Sequence, residues 1–309
     1  MIVKENILRD ILRLFIWFPY RWFIYIIPVK TALSFFKLMG LIHFLVNRSK
    51  KKLLKENIPE SIQSKFSLNT IILKYMQTHY LDRMCVFLFP KLNAKRIQSI
   101  VRIDGLEYID KALEKQKGVI LIHSHFGPAQ FSLFALAHQG YKMNQLGLRS
   151  DENLSKIGKL QLKIRLKIEE SSIPSNMLYV NKFMRPVFKN LKDNQLVMLP
   201  ADATGGERFI GKYTEAGFIG RTMKFPIGWI SLAEKTGAAV VPLSLHYDQH
   251  NTYKLKIHTP IDFINTNGEP VNIKHNLDQF LKILDDDIHH HPGSWHFWDE
   301  FYPGNLLVE

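Results

Sequence analysis

One stretch, His123-Ser-His125-Phe-Gly-Pro-Ala-Gln130, holds the residues best suited to proton transfer. A neutral imidazole titrates close to physiological pH and can take the proton of an attacking hydroxyl. His125 is the candidate general base, and His123 is a second one. Pro128 suits the first turn of a helix, which would turn Gln130 back towards the loop, within reach of His125. A glutamine carbonyl can accept a hydrogen bond from the ring N–H and fix its tautomer, but it brings no charge to stabilise an imidazolium. Backbone N–H groups at the helix start after Gly127 are the nearest donors for an oxyanion. Taken alone, a histidine in this position is equally well read as a hydrogen-bonded structural residue.

Two other clusters invite chemistry. Asp285-Asp-Asp287 followed by His289-His-His291, with His296 beyond, contains metal-ligand types. Consecutive residues on a helix diverge, however, and histidines at a helix carboxyl end are favoured by the macrodipole, so no metal or other cofactor is expected. Thr204-Gly205-Gly206 lacks the spacing and the Lys-Ser/Thr pair of a phosphate loop and reads as a turn.

The elements that must position His125 alternate between strand and helix. Residues 118–124 (GVILIHS) form a short apolar run that reads as a buried strand. A helix over 129–139 ends at Gly140, and a long amphipathic helix covers 151–170. Strands are predicted at 178–180, 195–199, 238–246 and 253–258, and helices at 185–193, 225–235 and 277–289. This alternation predicts an α/β fold with a central, mostly parallel sheet flanked by helices. In such a sheet His125 lies at a strand's carboxyl end, where ligand crevices open.

The first fifty residues are different. Residues 14–29 (LFIWFPYRWFIYIIPV) and 31–46 (TALSFFKLMGLIHFLV) are apolar runs of 16 residues each, interrupted by Arg21, Lys37 and His43. A bilayer crossing takes roughly 20 apolar residues, and no small-residue cleavage site follows. Aromatic rings mixed with Arg and Lys suit the headgroup boundary. Arg48, Lys50, Lys51, Lys52 and Lys55 come next, a cluster attracted to anionic lipid and expected to stay cytoplasmic. The reading is a helical membrane-docking region over 1–94 and an α/β catalytic domain over 95–309.

Composition agrees with a large folded protein: 309 residues, 46% hydrophobic and 22% charged, exclude a disordered chain. The net charge of +13 favours anionic partners such as an anionic membrane surface or an acidic carrier protein. Nucleic acid is not indicated, because only the charge points to it. Cys85 is the one cysteine, so there is no internal disulfide, which fits a reducing compartment.

Residues 101–127 (VRIDGLEYIDKALEKQKGVILIHSHFG) resemble the start of the catalytic domain in the lysophospholipid acyltransferase superfamily. The resemblance is to the branch of lipid A lauroyl and myristoyl acyltransferases, with its G-x-E, helix, G-V-I-L and H-F-G in order. It continues through the Arg149 segment, Phe183-Met-Arg185 ahead of Leu191-Lys192, Asp202 after an apolar strand, Gly217-Phe-Ile-Gly-Arg221, the run from Leu232 to Pro242, and His291-Pro-Gly-Ser-Trp295. Roughly residues 7–300 are covered.

The resemblance implies transfer of a fatty acyl chain from an acyl-ACP or acyl-CoA donor to a membrane lipid acceptor, a glycolipid or lysophospholipid. It implies a protein held at the cytoplasmic face of the inner cell membrane in a peripheral or monotopic manner. His125 would be the general base. Five residues later, where the family has Asp or Glu, this chain has Gln130. The chain then reads as a slower enzyme, as one whose acid comes from Asp151, Asp202 or Glu207, or as a catalytically impaired relative that binds lipid. Arg149, Arg185 and Arg221 are assigned, with Asp202, to substrate binding, since guanidinium groups pair well with phosphate.

Overall fold

The computed structural model describes residues 6–147, 154–179, 184–203, 211–248 and 250–308. Its helices are α1 (Ile7–Phe15), α2 (Arg21–Ile26), α3 (Val29–Val46), α4 (Arg48–Asn57), α5 (Leu68–Met84), α6 (Ala94–Gln98), α7 (Leu106–Leu113), α8 (Gln130–Ala137), α9 (Lys156–Ser172), α10 (Arg185–Lys192), α11 (Gly228–Thr236) and α12 (Pro270–His290). Its strands are β1 (Val101–Asp104), β2 (Val119–His123), β3 (Met143–Gly147), β4 (Ser175–Tyr179), β5 (Leu196–Pro200), β6 (Tyr213–Phe218), β7 (Arg221–Pro226), β8 (Ala239–Tyr247) and β9 (Tyr253–Ile257).

The fold is α/β, as the alternation implied. One sheet has the order β1-β9-β8-β2-β5-β3-β4, and all its ladders are parallel except β8 with β9. Every residue of β2 is buried, as expected of a central strand covered on both faces. Its side chains alternate between two cores. Ile120 and Ile122 pack with Trp229 and Leu232 of α11 and Leu277 and Phe280 of α12. Val119 and Leu121 belong to the other core, which also holds Phe131 and Phe134 of α8 and Ala32, Leu33 and Phe36 of α3. Gly118 leads into β2 at φ 70°, and a Cβ there would lie 2.6 Å from the Leu191 carbonyl oxygen, so the turn needs glycine.

Some boundaries differ from the sequence pattern. Phe225 belongs to β7, and the helix read over 225–235 begins at Gly228. β7 closes a hairpin with β6 through Ile219 and Gly220, both at positive φ, so an apolar run shared by strand and helix had been read as helix alone. β3 carries no apolar signal because its Asn144 is paired inside: the amide donates to the Leu196 carbonyl and accepts from Asn190 and Asn176. Residues 151–153 of the predicted long helix, and Val180, lie outside the described residues.

The amino-terminal helices pack chiefly on other helices, α3 on α5 and α1 on α9. A π turn at Ile16–Tyr20 joins α1 to α2, where Pro19 removes an N–H from the helical ladder. α3 is long and apolar enough to cross a membrane by length and composition, yet Ala32, Leu33, Phe36 and Gly40 on one side of it are buried within the protein. Gly40 sets the approach of α3 to α5, since a Cβ there would stand 2.4 Å from Gln77 Cα. Gly40→Val should therefore force the helices apart and lower stability by about 3 kcal/mol. A denaturant midpoint equal to wild type would contradict that packing.

Candidate active site

Parallel pairing of β2 with β5 aligns His123 with Pro200, and the Ala201 N–H donates to the His123 carbonyl at 2.9 Å. Carried two residues beyond each strand end, that register sets His125 beside Asp202. The Asp202 carboxylate accepts from His125 Nδ1 at 2.7 Å and from the His125 backbone N–H at 2.8 Å. It also accepts from the Ala203 N–H at 2.9 Å and from Trp295 Nε1 at 3.0 Å. Asp202 is fully buried, and these four donors compensate its loss of water.

The tautomer follows. A carboxylate can only accept, so Nδ1 carries the proton and the Nε2 lone pair is left for a substrate proton. Burial draws the His125 ring towards the neutral form, but the Asp202 charge and hydrogen bond outweigh it and hold the pKa above the ordinary imidazole value. For Asp202, burial raises the carboxyl, while His125 and the Trp295 indole bring it below the usual carboxylate range.

The tail of the chain clasps this loop. His296 N–H donates to the His125 carbonyl at 3.1 Å, and Gly127 N–H donates to the Ser294 carbonyl at 3.2 Å. The Phe297 ring meets the His125 ring edge-on at 4.8 Å. Trp295→Phe removes one donor from a buried carboxylate and shrinks a fully buried ring. It should cost about 3 kcal/mol of stability, from the lost hydrogen bond and the gap together; an unchanged melting temperature would contradict this contact.

A cavity of about 560 Å³ opens beside His125. Its wall includes His123, Gln130, Gln145, Leu146, Trp229, Asp82 and Arg165. Gln130 thus shares the cavity with His125, but the partner of Nδ1 is Asp202, and the buried Gln130 Oε1 has no hydrogen-bond partner among the described residues. A window of five residues on the sequence favours Gln130, whereas Asp202 is 77 positions away and reaches the ring through the sheet. Asp202, grouped with the substrate-binding residues on sequence grounds, lies beneath the imidazole and not on the described cavity wall.

Arg185 opens α10 and Arg221 opens β7; both are exposed, and neither lines the cavity. Arg149, Asp151, the 204–206 turn and Glu207 lie outside the described residues. Of the N–H groups at the helix start after Gly127, expected as oxyanion donors, those of Ala129 and Phe131 are already bonded to the Gly127 and Pro128 carbonyls. Asp82, Arg165 and Trp229 come into the cavity from distant segments and had no local sequence signal.

A second Ser-His-Asp cluster is structural. Ser244 Oγ donates to Asp287 at 2.6 Å, and His258 Nε2 lies 2.8 Å from the same hydroxyl. With its hydrogen committed to the carboxylate, the hydroxyl accepts from His258, which reverses the order needed to activate a serine. His289 and His290 each donate Nδ1–H to a backbone carbonyl one turn back, so the acidic and histidine tracts are spread around α12. Among the described residues no three His, Cys, Asp or Glu side chains are grouped to hold a metal ion.

No curated protein matches the chain. The family model of the bacterial lipid A biosynthesis acyltransferases matches residues 4–300. That match over nearly the whole chain identifies the protein as a member of the bacterial lipid A biosynthesis acyltransferase family, and so as an acyltransferase.

Proposed function

We propose that the protein moves a fatty acyl chain from an acyl-ACP or acyl-CoA thioester to a hydroxyl of a lipid A precursor, with His125 as general base. The observation that carries this reading is the His125–Asp202 contact beside an open cavity. His125 Nε2 takes the hydroxyl proton as the oxygen attacks the thioester carbonyl, and Asp202 orients the ring and stabilises the imidazolium. Collapse of the tetrahedral intermediate forms the ester and breaks the C–S bond, and the proton held by the imidazolium goes to the departing thiolate. The reading of a catalytically impaired lipid-binding relative rested on the missing charge at Gln130. The Asp202 carboxylate on Nδ1 offers a charge from elsewhere in the chain, which supports the active reading.

Arg149, Arg185 and Arg221 contribute phosphate contacts, the last two from outside the cavity. The protein works from the cytoplasmic face of the inner membrane in a peripheral or monotopic manner. Two features support that placement: the net charge of +13 and the exposed apolar side chains of α1 to α3, such as Ile7, Leu8, Ile26 and Val46. The basic cluster is partly committed within the protein, since Lys50 pairs with Asp299 and Lys51 lies over the Phe44 ring.

Purified protein incubated with labelled acyl thioester and a lipid A precursor should yield labelled, acylated glycolipid. Lipid binding with no labelled product from either donor would instead support the impaired relative. Gln130→Glu adds a second negative charge to the cavity that His125 faces, so the base should hold its proton to higher pH. Its activity limb should lie at higher pH than that of wild type; a profile that overlays wild type would contradict a shared cavity.

A further inference from the structure

Four buried polar atoms on residues of the His125 cavity have no hydrogen-bond partner among the described residues: His123 Nε2, Gln130 Oε1, Gln145 Oε1 and Trp229 Nε1. Buried polar atoms are nearly always satisfied, so four orphans around one cavity mark where an occupant's polar groups go. His123 is the best defined of them, because its other ring nitrogen, Nδ1, lies 3.0 Å from the Ser124 carbonyl oxygen. A carbonyl only accepts, so Nδ1 bears the hydrogen and Nε2 presents a lone pair. Burial, and then the nearby His125, push the His123 pKa down to about 4, so the ring is uncharged at neutral pH. The two rings are neighbours, with centroids 5.9 Å apart.

We infer that His123 is a substrate-binding residue, whose Nε2 accepts a hydrogen bond from an O–H or N–H of an uncharged substrate group held next to the base. The inference rests on the acyl-transfer reading of the cavity. Arg165 is the one Lys or Arg among the described lining residues, and Glu169 engages it at 2.7 Å. Among the described lining residues phosphate therefore finds no free cation, whereas a neutral group rich in hydrogen-bond donors suits the two glutamines and the imidazole. Two sources offer that chemistry: a sugar hydroxyl or amide of the acceptor, and an amide of the donor's pantetheine arm.

Two variants separate binding from folding. His123→Asn retains a group that can donate to the Ser124 carbonyl but has no acceptor at the Nε2 position. His123→Gln carries an amide out to that position. KM for a lipid A precursor and KM for acyl-CoA are measured separately for each variant, with thermal melts to verify folding. His123→Asn should raise one of the two KM values about tenfold, the loss of one hydrogen bond, with kcat and its pH limb within twofold of wild type. His123→Gln should recover most of that loss. A rise in the lipid KM assigns the contact to the acceptor, and a rise in the acyl-CoA KM assigns it to the donor arm. Unchanged KM values for both substrates in a folded, active His123→Asn would overturn the inference. So would a collapse of kcat with a displaced pH limb, which would make His123 a base. An inactive wild type with every substrate pair would instead defeat the acyl-transfer reading itself.

Discussion

Asp202→Asn should lower turnover by about 10⁴-fold, the size of loss seen when the acid of a serine-protease triad becomes its amide. The Asp202 carboxylate takes four N–H donors, two of them from His125. An asparagine has one oxygen for them and must turn its NH₂ group towards other N–H groups. If the amide donates to Nδ1, the ring proton moves to Nε2 and the base is blocked. The pH profile carries a second signature. A base must be neutral to act, and Asp202 holds the His125 pKa above its ordinary value, so wild-type kcat/KM should rise with pH through that elevated value. Without the charge, the residual activity should show its limb at lower pH. A variant that keeps wild-type turnover and an unmoved limb would deny Asp202 its role.

The same pair links stability to pH. Asp202 is held below its unfolded value, so its contribution is present above the ordinary carboxylate range and lost as pH falls through the depressed pKa. His125 is raised, so its share is full below the ordinary imidazole value and fades as pH rises through the folded pKa. Asp202→Asn should flatten both limbs of a melting-temperature profile.

Serine at Ile7, Leu8, Ile11 and Ile26 together should weaken binding to anionic vesicles by about 100-fold. These side chains are 57–84% exposed, so their removal takes little from the core. Each loses apolar area worth about 1.5 kcal/mol when fully buried in lipid, and a shallow insertion gains a fraction of that. The melting temperature should hold, which distinguishes these positions from Leu33 and Phe36 on α3, both fully buried. Removing the whole amino-terminal region would be a poorer test, because it would strip Leu33 and Phe36 from the core they share with α5 and the sheet. Sedimentation with vesicles equal to wild type would contradict membrane docking through this face.

Local patterns revealed what local forces determine. The run VILIH reads as a buried strand because every position is apolar or partly so, and Pro128 announces the helix behind it. That was enough to put His125 at a strand end. The ring's partner was only partly legible: Asp202 was one of three acids that could replace the one missing at Gln130, and it meets the ring because β2 and β5 are parallel neighbours in a fixed register. A short window favoured Gln130 for that reason. Trp295 is a similar case, joined to Asp202 across 93 positions. β3 escaped because its buried Asn144 is satisfied by partners on other elements, and an apolar count registers only its polarity. At the amino terminus the apolar runs were plain, but hydrophobicity does not say which side faces the protein. Gly40 against Gln77 decides that for α3.

The most direct test of the account is chemical rescue of the base. His125→Ala should lose at least 10³-fold of acyl transfer to a lipid A precursor while keeping its fold. Added imidazole, which can enter the open cavity, should restore part of that loss with a pH dependence set by imidazole itself. If folded His125→Ala transfers acyl chains at the wild-type rate, the proton is taken by another group, and His125 is not the base.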